Sequence, residues 1–178
     1  MNPLQIRQAN LEDLSALQAI GRQTFSETYV DGNTEENMAA YLEEGFSEEK
    51  LGKELRNENS QFYFAMQANE VIGYLKVNMD DAQNEKQDPG ALEIERIYVL
   101  QKYQRKQVGT LLYKQAVAIA KARKSPYIWL GVWEENPRAI RFYEKNGFVE
   151  FGEHIFQLGD DAQRDVLMKK TLPDFFEK

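Results

Sequence analysis

The stretch "ALEIERIYVLQKYQRKQVGTLL", residues 91–112, decides the fold. It begins as an alternating strand, passes through a basic, glutamine-rich turn and ends in a helical pattern. A strand that feeds a helix through a short turn directs the unpaired amides of the helix start beyond the strand end, where the helix dipole also attracts anions. Lys102, Arg105 and Lys106 add positive charge to the same turn. The stretch therefore predicts an anion site where the strand meets the helix.

The turn alone does not assign a function. The chain contains neither the GxxxxGK[ST] nucleotide loop nor the GxGxxG dinucleotide fingerprint. Basic residues in a surface turn are often no more than solvated charge. A second motif is needed to decide between these interpretations.

The segments around this stretch predict a mixed α/β protein with a single domain spanning residues 1–178. Apolar residues that recur about every 3.6 residues indicate helices, and alternation of apolar and polar residues indicates strands. Residues 80–90, "DDAQNEKQDPG", predict an exposed loop within the sheet because strand patterning resumes directly after them. "YIWLGVW" predicts a central strand buried on both faces. Strands are predicted at 4–9, 61–67, 70–79, 91–99, 127–133, 148–158 and 163–172, and helices at 10–30, 38–44, 47–57, 107–124 and 136–148.

Composition narrows the function further. The chain has no cysteine and one histidine, which excludes disulfides, thiolate metal sites and a thiol nucleophile and argues against a zinc hydrolase, so no metal site is expected. A net charge of −7 repels nucleic acid and anionic membranes and favours cationic ligands. The N-terminal sequence lacks a signal-peptide pattern, and no apolar run is long enough to span a bilayer. We expect a cytoplasmic protein.

The second motif is "WLGVWEENPRAIRFYEKNGF", residues 129–148, and with the opening stretch it resembles the GCN5-related N-acetyltransferase (GNAT) family. The resemblance extends over most of the chain. It implies the GNAT fold, a mixed, mostly antiparallel twisted sheet flanked by helices, with a V-shaped opening between central strands. It also implies acetyl-coenzyme A as the acetyl donor.

The resemblance assigns a cofactor site to the turn. The family pattern Q/R-x-x-G-x-G/A, whose amides cradle the pyrophosphate, corresponds to Gln104 through Gly109, but Gln107 replaces the first glycine. Glutamine there implies backbone dihedrals allowed for an ordinary residue. In the preceding strand, backbone groups would pair with pantetheine. The expected cofactor-binding residues are Ile97, Tyr98, Val99, Gln104, Arg105, Lys106, Gln107, Val108, Gly109, Thr110 and Asn136.

Within the family, the likeness is greatest to the PaiA-type spermidine/spermine N-acetyltransferases. The shared features are "SQFYFA", "GYLKVNMDDAQ", "LEIERIYV" and "IWLGVWE". They imply a small-molecule amine, a polyamine, as the acceptor.

The resemblance also implies catalytic roles. An alkylamine with a pKa of roughly 10 must lose a proton before it attacks, and Glu93, Glu95 or a water chain is a candidate base. Tyr143 lies at the family's general-acid position, where its phenol would protonate the departing thiolate. Alternatively, one or both carboxylates pair with Arg96 or a turn lysine at the surface, and Tyr143 packs in the core.

The acceptor site is expected at the end of the first helix and in the helical arm after it. Aromatic and acidic groups suit the methylenes and ammoniums of a polyamine. Asn136 either contacts pantetheine or caps the helix at Pro137, and His154 receives no role. The candidate substrate-binding residues are Phe25, Glu27, Tyr29, Tyr41 and Glu95.

Other functions stay open from sequence. Acetylation of a protein N-terminus or lysine is one, and a non-catalytic acyl-coenzyme A sensor is another, with Gln107 as its only hint. A DNA-binding regulator is disfavoured because the chain has no basic recognition helix and the net charge has the wrong sign. The protein is expected to be a monomer or a homodimer.

Overall fold

A computed structural model describes residues 2–173; the outermost parts of the predicted domain, residue 1 and residues 174–178, lie outside the described residues. The helices are α1 (Leu14–Tyr29), α2 (Glu35–Gly45), α3 (Glu48–Arg56), α4 (Val108–Ala122) and α5 (Pro137–Lys145). The strands are β1 (Leu4–Gln8), β2 (Ser60–Gln67), β3 (Glu70–Met79), β4 (Leu92–Val99), β5 (Tyr127–Trp133), β6 (Val149–Leu158) and β7 (Asp161–Thr171). The sequence therefore predicted each of these elements in the right order.

The seven strands form one sheet in the order β1-β2-β3-β4-β5-β7-β6. Every neighbouring pair is antiparallel except β4 and β5. These two parallel strands pair only at Leu92 with Ile128 and at Glu93 with Trp129, and then diverge. The divergence is the predicted V-shaped opening, and the predicted fold class is confirmed.

Helices cover both faces of the sheet. On one face, α4 buries Val108, Leu112, Ala116 and Ala120, which follow the three-and-four spacing of an amphipathic helix. On the other face, α1, α2 and α3 pack around a second apolar cluster that includes Phe46. Helix α3 begins as its sequence indicates, since Ser47 accepts the Lys50 amide at 3.2 Å. Helix α2 begins at Glu35, before the predicted start at residue 38, and its cap is Thr34. No helix within residues 2–173 is long and apolar enough to cross a membrane.

Two predictions about burial were incomplete. Strand β5 is buried from Tyr127 to Leu130, but Gly131, which lines a cavity, is exposed and Trp133 is half-buried. The loop at 80–90 is not simply exposed, because Gln83 accepts the indole N–H of Trp129 at 2.8 Å and Asn84 donates to Glu93. This loop closes over the edge of the sheet opening.

Candidate active site

The edge of β4 that faces the opening is available for backbone hydrogen bonds. Along its other edge, β4 pairs with β3 as far as Gly73 and Val99. Its pairing with β5 ends at Glu93, so within residues 2–173 the backbone groups of Ile97, Tyr98 and Val99 on that side have no strand partner. An extended ligand can add to such an edge as an extra strand.

The turn after β4 ends in an uncapped helix start. Helix α4 begins at Val108, and no side chain of its N-cap residue, Gln107, accepts from the first-turn amides. These amides, which include those of Gly109 and Thr110, therefore form a candidate anion site at the positive end of the helix dipole.

The expectation about the Gln107 backbone was wrong. Gln107 has φ 64° and ψ 10°, the left-handed conformation that favours glycine, and Arg105 has φ 63°. Gln107 therefore retains the backbone geometry that glycine provides in the family pattern, at the cost of steric strain at its Cβ.

The basic side chains of the turn differ in whether they are paired with a carboxylate. Lys102 is directed away from the anion site, because its Nζ lies 2.8 Å from Glu70. Arg105 and Lys106 are exposed at the turn. Gln104 accepts a hydrogen bond from Arg138 of α5 at 2.7 Å, so a further cation, which sequence reasoning missed, lies beside the turn.

Helix α5 supplies two predicted residues. Asn136 caps it by accepting the Ala139 amide at 3.2 Å. Tyr143 is 5% exposed and packs against Phe142 and Phe148, with ring centroids 5.3 and 5.4 Å apart. Burial raises the pKa of Tyr143 well above its ordinary value, so its phenol is protonated near neutral pH. The core packing and the predicted role are thus compatible.

Two cavities flank the opening. The first, of about 400 Å³, borders the turn and α5, and it will be called the cofactor cavity. Its predicted cofactor-binding residues are Ile97, Tyr98, Val99, Gln104, Gly109 and Asn136. The predicted residues Arg105, Lys106, Gln107, Val108 and Thr110 do not line it, and the side chain of Val108 is buried in the core.

The second cavity, of about 390 Å³, will be called the acceptor cavity. It brings together the predicted base Glu93 and four of the five predicted substrate-binding residues, Phe25, Tyr29, Tyr41 and Glu95. Glu27 does not reach it; this residue lines the cofactor cavity, where it accepts the Gln101 amide at 2.8 Å.

The two cavities share one wall. Residues on both linings include Ile97, Tyr98, Asn136 and Tyr143. A group bound in one cavity can therefore meet a group bound in the other at Tyr143, the predicted general acid.

Glu93 is almost fully buried at the closed end of the opening, with 3% of its surface exposed. It accepts hydrogen bonds from Asn78 at 3.0 Å and from the backbone and side-chain nitrogens of Asn84 at 3.0 and 2.8 Å. Burial is the largest influence, and it raises the pKa of Glu93 above its usual value. The Asn84 contact was missed because its segment was interpreted as an exposed loop.

Glu95 lies in a β-bulge and has a different environment. Lys76 pairs with Arg96 and Val77 with Ile94, which leaves Glu95 as the extra residue of β4. Its carboxylate still reaches the same side as Glu93, because Asn78 donates to both. Lys76 Nζ lies 2.5 Å from Glu95. Burial raises the pKa of Glu95, but the charges of Arg96 and Lys76 outweigh it and hold the pKa at about 2.

The splayed parallel pair, the basic turn and the uncapped helix start are the features that the resemblance to the acetyltransferase family implied. The sequence model of the acetyltransferase (GNAT) family matches residues 22–148, and the chain belongs to that family. It is an acetyl-coenzyme A dependent N-acetyltransferase.

Individual relatives agree with this assignment. An uncharacterized N-acetyltransferase from the pepI 3' region of Lactobacillus delbrueckii subsp. lactis is 44% identical over 97% of this chain and 99% of its own. The spermidine N(1)-acetyltransferase of Thermoplasma acidophilum is 28% identical over 94% of this chain and 96% of its own. The crystal structure of the PaiA N-acetyltransferase from Thermoplasma acidophilum, in complex with coenzyme A, has a TM-score of 0.79 and 26% identity, and covers 96% of this chain and 99% of that one.

Proposed function

We propose that this protein transfers the acetyl group of acetyl-coenzyme A to a primary amine of a polyamine, such as spermidine or spermine, by direct attack in a ternary complex. The observation that carries the proposal is the common wall of the two cavities. An acidic, aromatic-lined cavity meets a cavity beside an anion site at one buried tyrosine, Tyr143. The relative that is named a spermidine N(1)-acetyltransferase supports the choice of acceptor.

The cofactor cavity has the donors that coenzyme A requires. The first-turn amides of α4 and the exposed Arg105 and Lys106 would hold the pyrophosphate, and the free edge of β4 would pair with pantetheine. Acetyl-coenzyme A supplies the acetyl group as a thioester. In this proposal, a backbone amide of β4 donates to the carbonyl oxygen as negative charge develops there.

Two side chains move protons. Glu93 has the raised pKa and lines the acceptor cavity, so it takes the proton of the ammonium through water. Glu95 is unsuited to this role because its pKa is held at about 2. The phenol of Tyr143, which is protonated near neutral pH, donates to the departing sulfur. The remaining acidic groups attract the polyamine, in agreement with the net charge of −7.

The experiment follows thiol release after purified protein is mixed with acetyl-coenzyme A and spermidine or spermine. We expect release that saturates with polyamine and depends on protein concentration. Coenzyme A binding, measured by calorimetry on the same sample, is the control. Protein that binds coenzyme A but releases no thiol above the amine-free background would contradict the proposal.

A further inference from the structure

Four carboxylates line the acceptor cavity, and three of them are engaged by neighbouring side chains. Glu93 is held by Asn78 and Asn84. Glu85 lies 2.5 Å from Nδ1 of His154. Glu95 is neutralised by the buried cations of β3 and β4. None of these three can give its full charge to a ligand without breaking an existing contact.

The fourth carboxylate, Asp165 of β7, is different. Its Oδ1 is shielded from solvent, yet within residues 2–173 it has no hydrogen-bond partner. A buried carboxylate oxygen without a donor is costly, and a cationic ligand would remove that cost. Sequence reasoning did not select Asp165, because a single acidic residue in a late strand carries no signal of its own.

Backbone positions place Asp165 at the cavity floor. It pairs with Trp133 across the β5–β7 ladder. Between Trp129 and Trp133, strand β5 carries Gly131, and a Cβ there would lie 3.4 Å from Oδ2 of Asp165. Glycine thus leaves a gap beside the carboxylate that the Cβ of any other residue would fill.

Aromatic rings wall this space. Tyr29 lies 5.3 Å from Trp133 and 6.2 Å from Phe156, and Tyr41 lies 5.6 Å from Phe156, measured between ring centroids. All four rings line the acceptor cavity. Aromatic rings around a carboxylate suit an alkylammonium ligand. The quadrupole of each ring and the negative charge of the carboxylate both attract the ammonium, and the rings also contact the methylenes of the alkyl chain.

The location separates this site from the point of transfer. Asp165 lines the acceptor cavity but not the cofactor cavity. The residues common to both cavities, with Tyr143 among them, mark where the reacting amine meets the thioester. Of the groups around Asp165, only Trp133 lines both cavities, whereas Tyr29, Tyr41 and Phe156 line the acceptor cavity alone. The ammonium next to Asp165 therefore lies beyond the shared wall and is a second one on the same molecule.

We propose that Asp165 binds the non-reacting ammonium of the acceptor, next to the gap left by Gly131. The aromatic side chains around this ammonium are Tyr29, Tyr41, Trp133 and Phe156. Asp165 is then a specificity residue that selects diamines and polyamines over monoamines. This inference rests on the proposed function for the identity of the acceptor, but it makes a separate claim about binding.

The fluorescence of the protein allows binding to be tested without turnover. The chain has two tryptophans, Trp129 and Trp133, and both line the acceptor cavity. Tryptophan emission is titrated with spermidine and with butylamine, for the wild type and for Asp165→Asn. We expect the dissociation constant for spermidine to rise at least tenfold in Asp165→Asn and that for butylamine to change less than twofold.

Two further variants make the test specific. Asp31→Asn, at an exposed position outside both cavities, removes the same charge and should leave both dissociation constants unchanged. Gly131→Ala keeps the carboxylate but narrows the space above it, and it should weaken spermidine binding several-fold.

The outcomes distinguish the two claims. Equal spermidine affinity in the wild type and Asp165→Asn, or a wild type that does not prefer spermidine to butylamine, would overturn the inference about Asp165. Weaker binding in Asp165→Asn, together with no acetylation of spermidine by the wild type, would support this inference and overturn the proposed reaction.

Discussion

The side-chain amide of Asn78 donates to Glu93 across the paired strands β3 and β4, with 3.0 Å between nitrogen and oxygen. The same amide donates to Glu95 at 2.6 Å. The two carboxylates thus share a donor, but the neighbours of Glu93 are asparagines, whereas those of Glu95 include the cations Lys76 and Arg96. Burial raises the pKa of Glu93, whereas the charges around Glu95 lower its pKa.

Substitution should separate the roles of these carboxylates. Glu93→Gln removes the proposed base, so we expect kcat to fall about 10²-fold, the lower end of what general-base catalysis contributes. Glu95→Gln leaves Lys76 and Arg96 without their nearest anion, so the free energy of unfolding should fall by about 3 kcal/mol. Steady-state kinetics and urea unfolding of both variants measure this difference. A Glu95→Gln protein of normal stability with the larger loss of kcat would reverse the assignment.

Tyr143→Phe tests the proposed acid. The ring contacts with Phe142 and Phe148 persist, so the melting temperature and the affinity for coenzyme A should stay near the wild-type values. Without the phenol, kcat should fall about 10²-fold or more. Tyr113→Phe is the matched control, because Tyr113 is also buried but lines neither cavity. A Tyr143→Phe protein with normal kcat would exclude this role.

Gln107→Gly tests the strain in the turn. Glycine adopts a φ of 64° without a Cβ clash, and its greater freedom in the unfolded state offsets part of that gain, so stability should rise by about 0.5 to 1 kcal/mol. Affinity for coenzyme A should stay the same or increase, because the backbone already has the conformation that glycine would take. Calorimetric titration and thermal unfolding measure the two effects. Lys106→Gly, in the same turn but without a positive φ, is the control and should lower stability.

Asp165→Asn should stabilise the protein while it weakens acceptor binding. Burial raises the pKa of Asp165 to about 6, partly offset by the charge of His154. A carboxyl whose pKa is higher in the folded than in the unfolded protein lowers the free energy of unfolding once it ionises. For Asp165, this destabilisation is absent near pH 4 and complete above pH 6. Allowing for the partial exposure of the side chain, we expect about 1 to 2 kcal/mol of extra stability at pH 7.

The measurement is the melting temperature of both proteins from pH 4 to pH 8. We expect the variant to melt about 2 to 6 °C higher at pH 7, and this difference to shrink as the pH falls towards 4. His154, Tyr29 and Tyr41 are the other titratable groups around this carboxylate, and they are present in both proteins. A difference independent of pH would contradict the raised pKa.

Sequence patterns predicted the fold because each element carries a local signal. The periodicity of α4, the Ser47 cap and the apolar run of β5 are all properties of neighbouring residues. The family motifs likewise predicted Tyr143 and Glu93, both of which line the acceptor cavity. Glu27 was predicted in the acceptor site but lines the cofactor cavity. The end of α1 lies between the two cavities, and the sequence does not indicate which cavity a given side chain enters.

The site features that the sequence did not predict depend on contacts between segments that are distant in sequence. Arg138 reaches Gln104 from another helix, and Asn84 reaches Glu93 from a loop. Gly131 was a local signal that could have indicated the space beside Asp165, since a glycine inside an apolar strand often marks a close approach. The left-handed φ of Gln107 had no such signal, because glutamine seldom adopts it.

The most direct test of the central claim, acetyl transfer to a polyamine, is a competition between acceptors. Spermidine and a lysine-containing peptide with a free N-terminus are mixed in equal concentration with a limiting amount of acetyl-coenzyme A and the protein. Mass spectrometry then locates the acetyl group. Our account predicts that it is found on spermidine, whereas acetylation of the peptide with spermidine unmodified would contradict it.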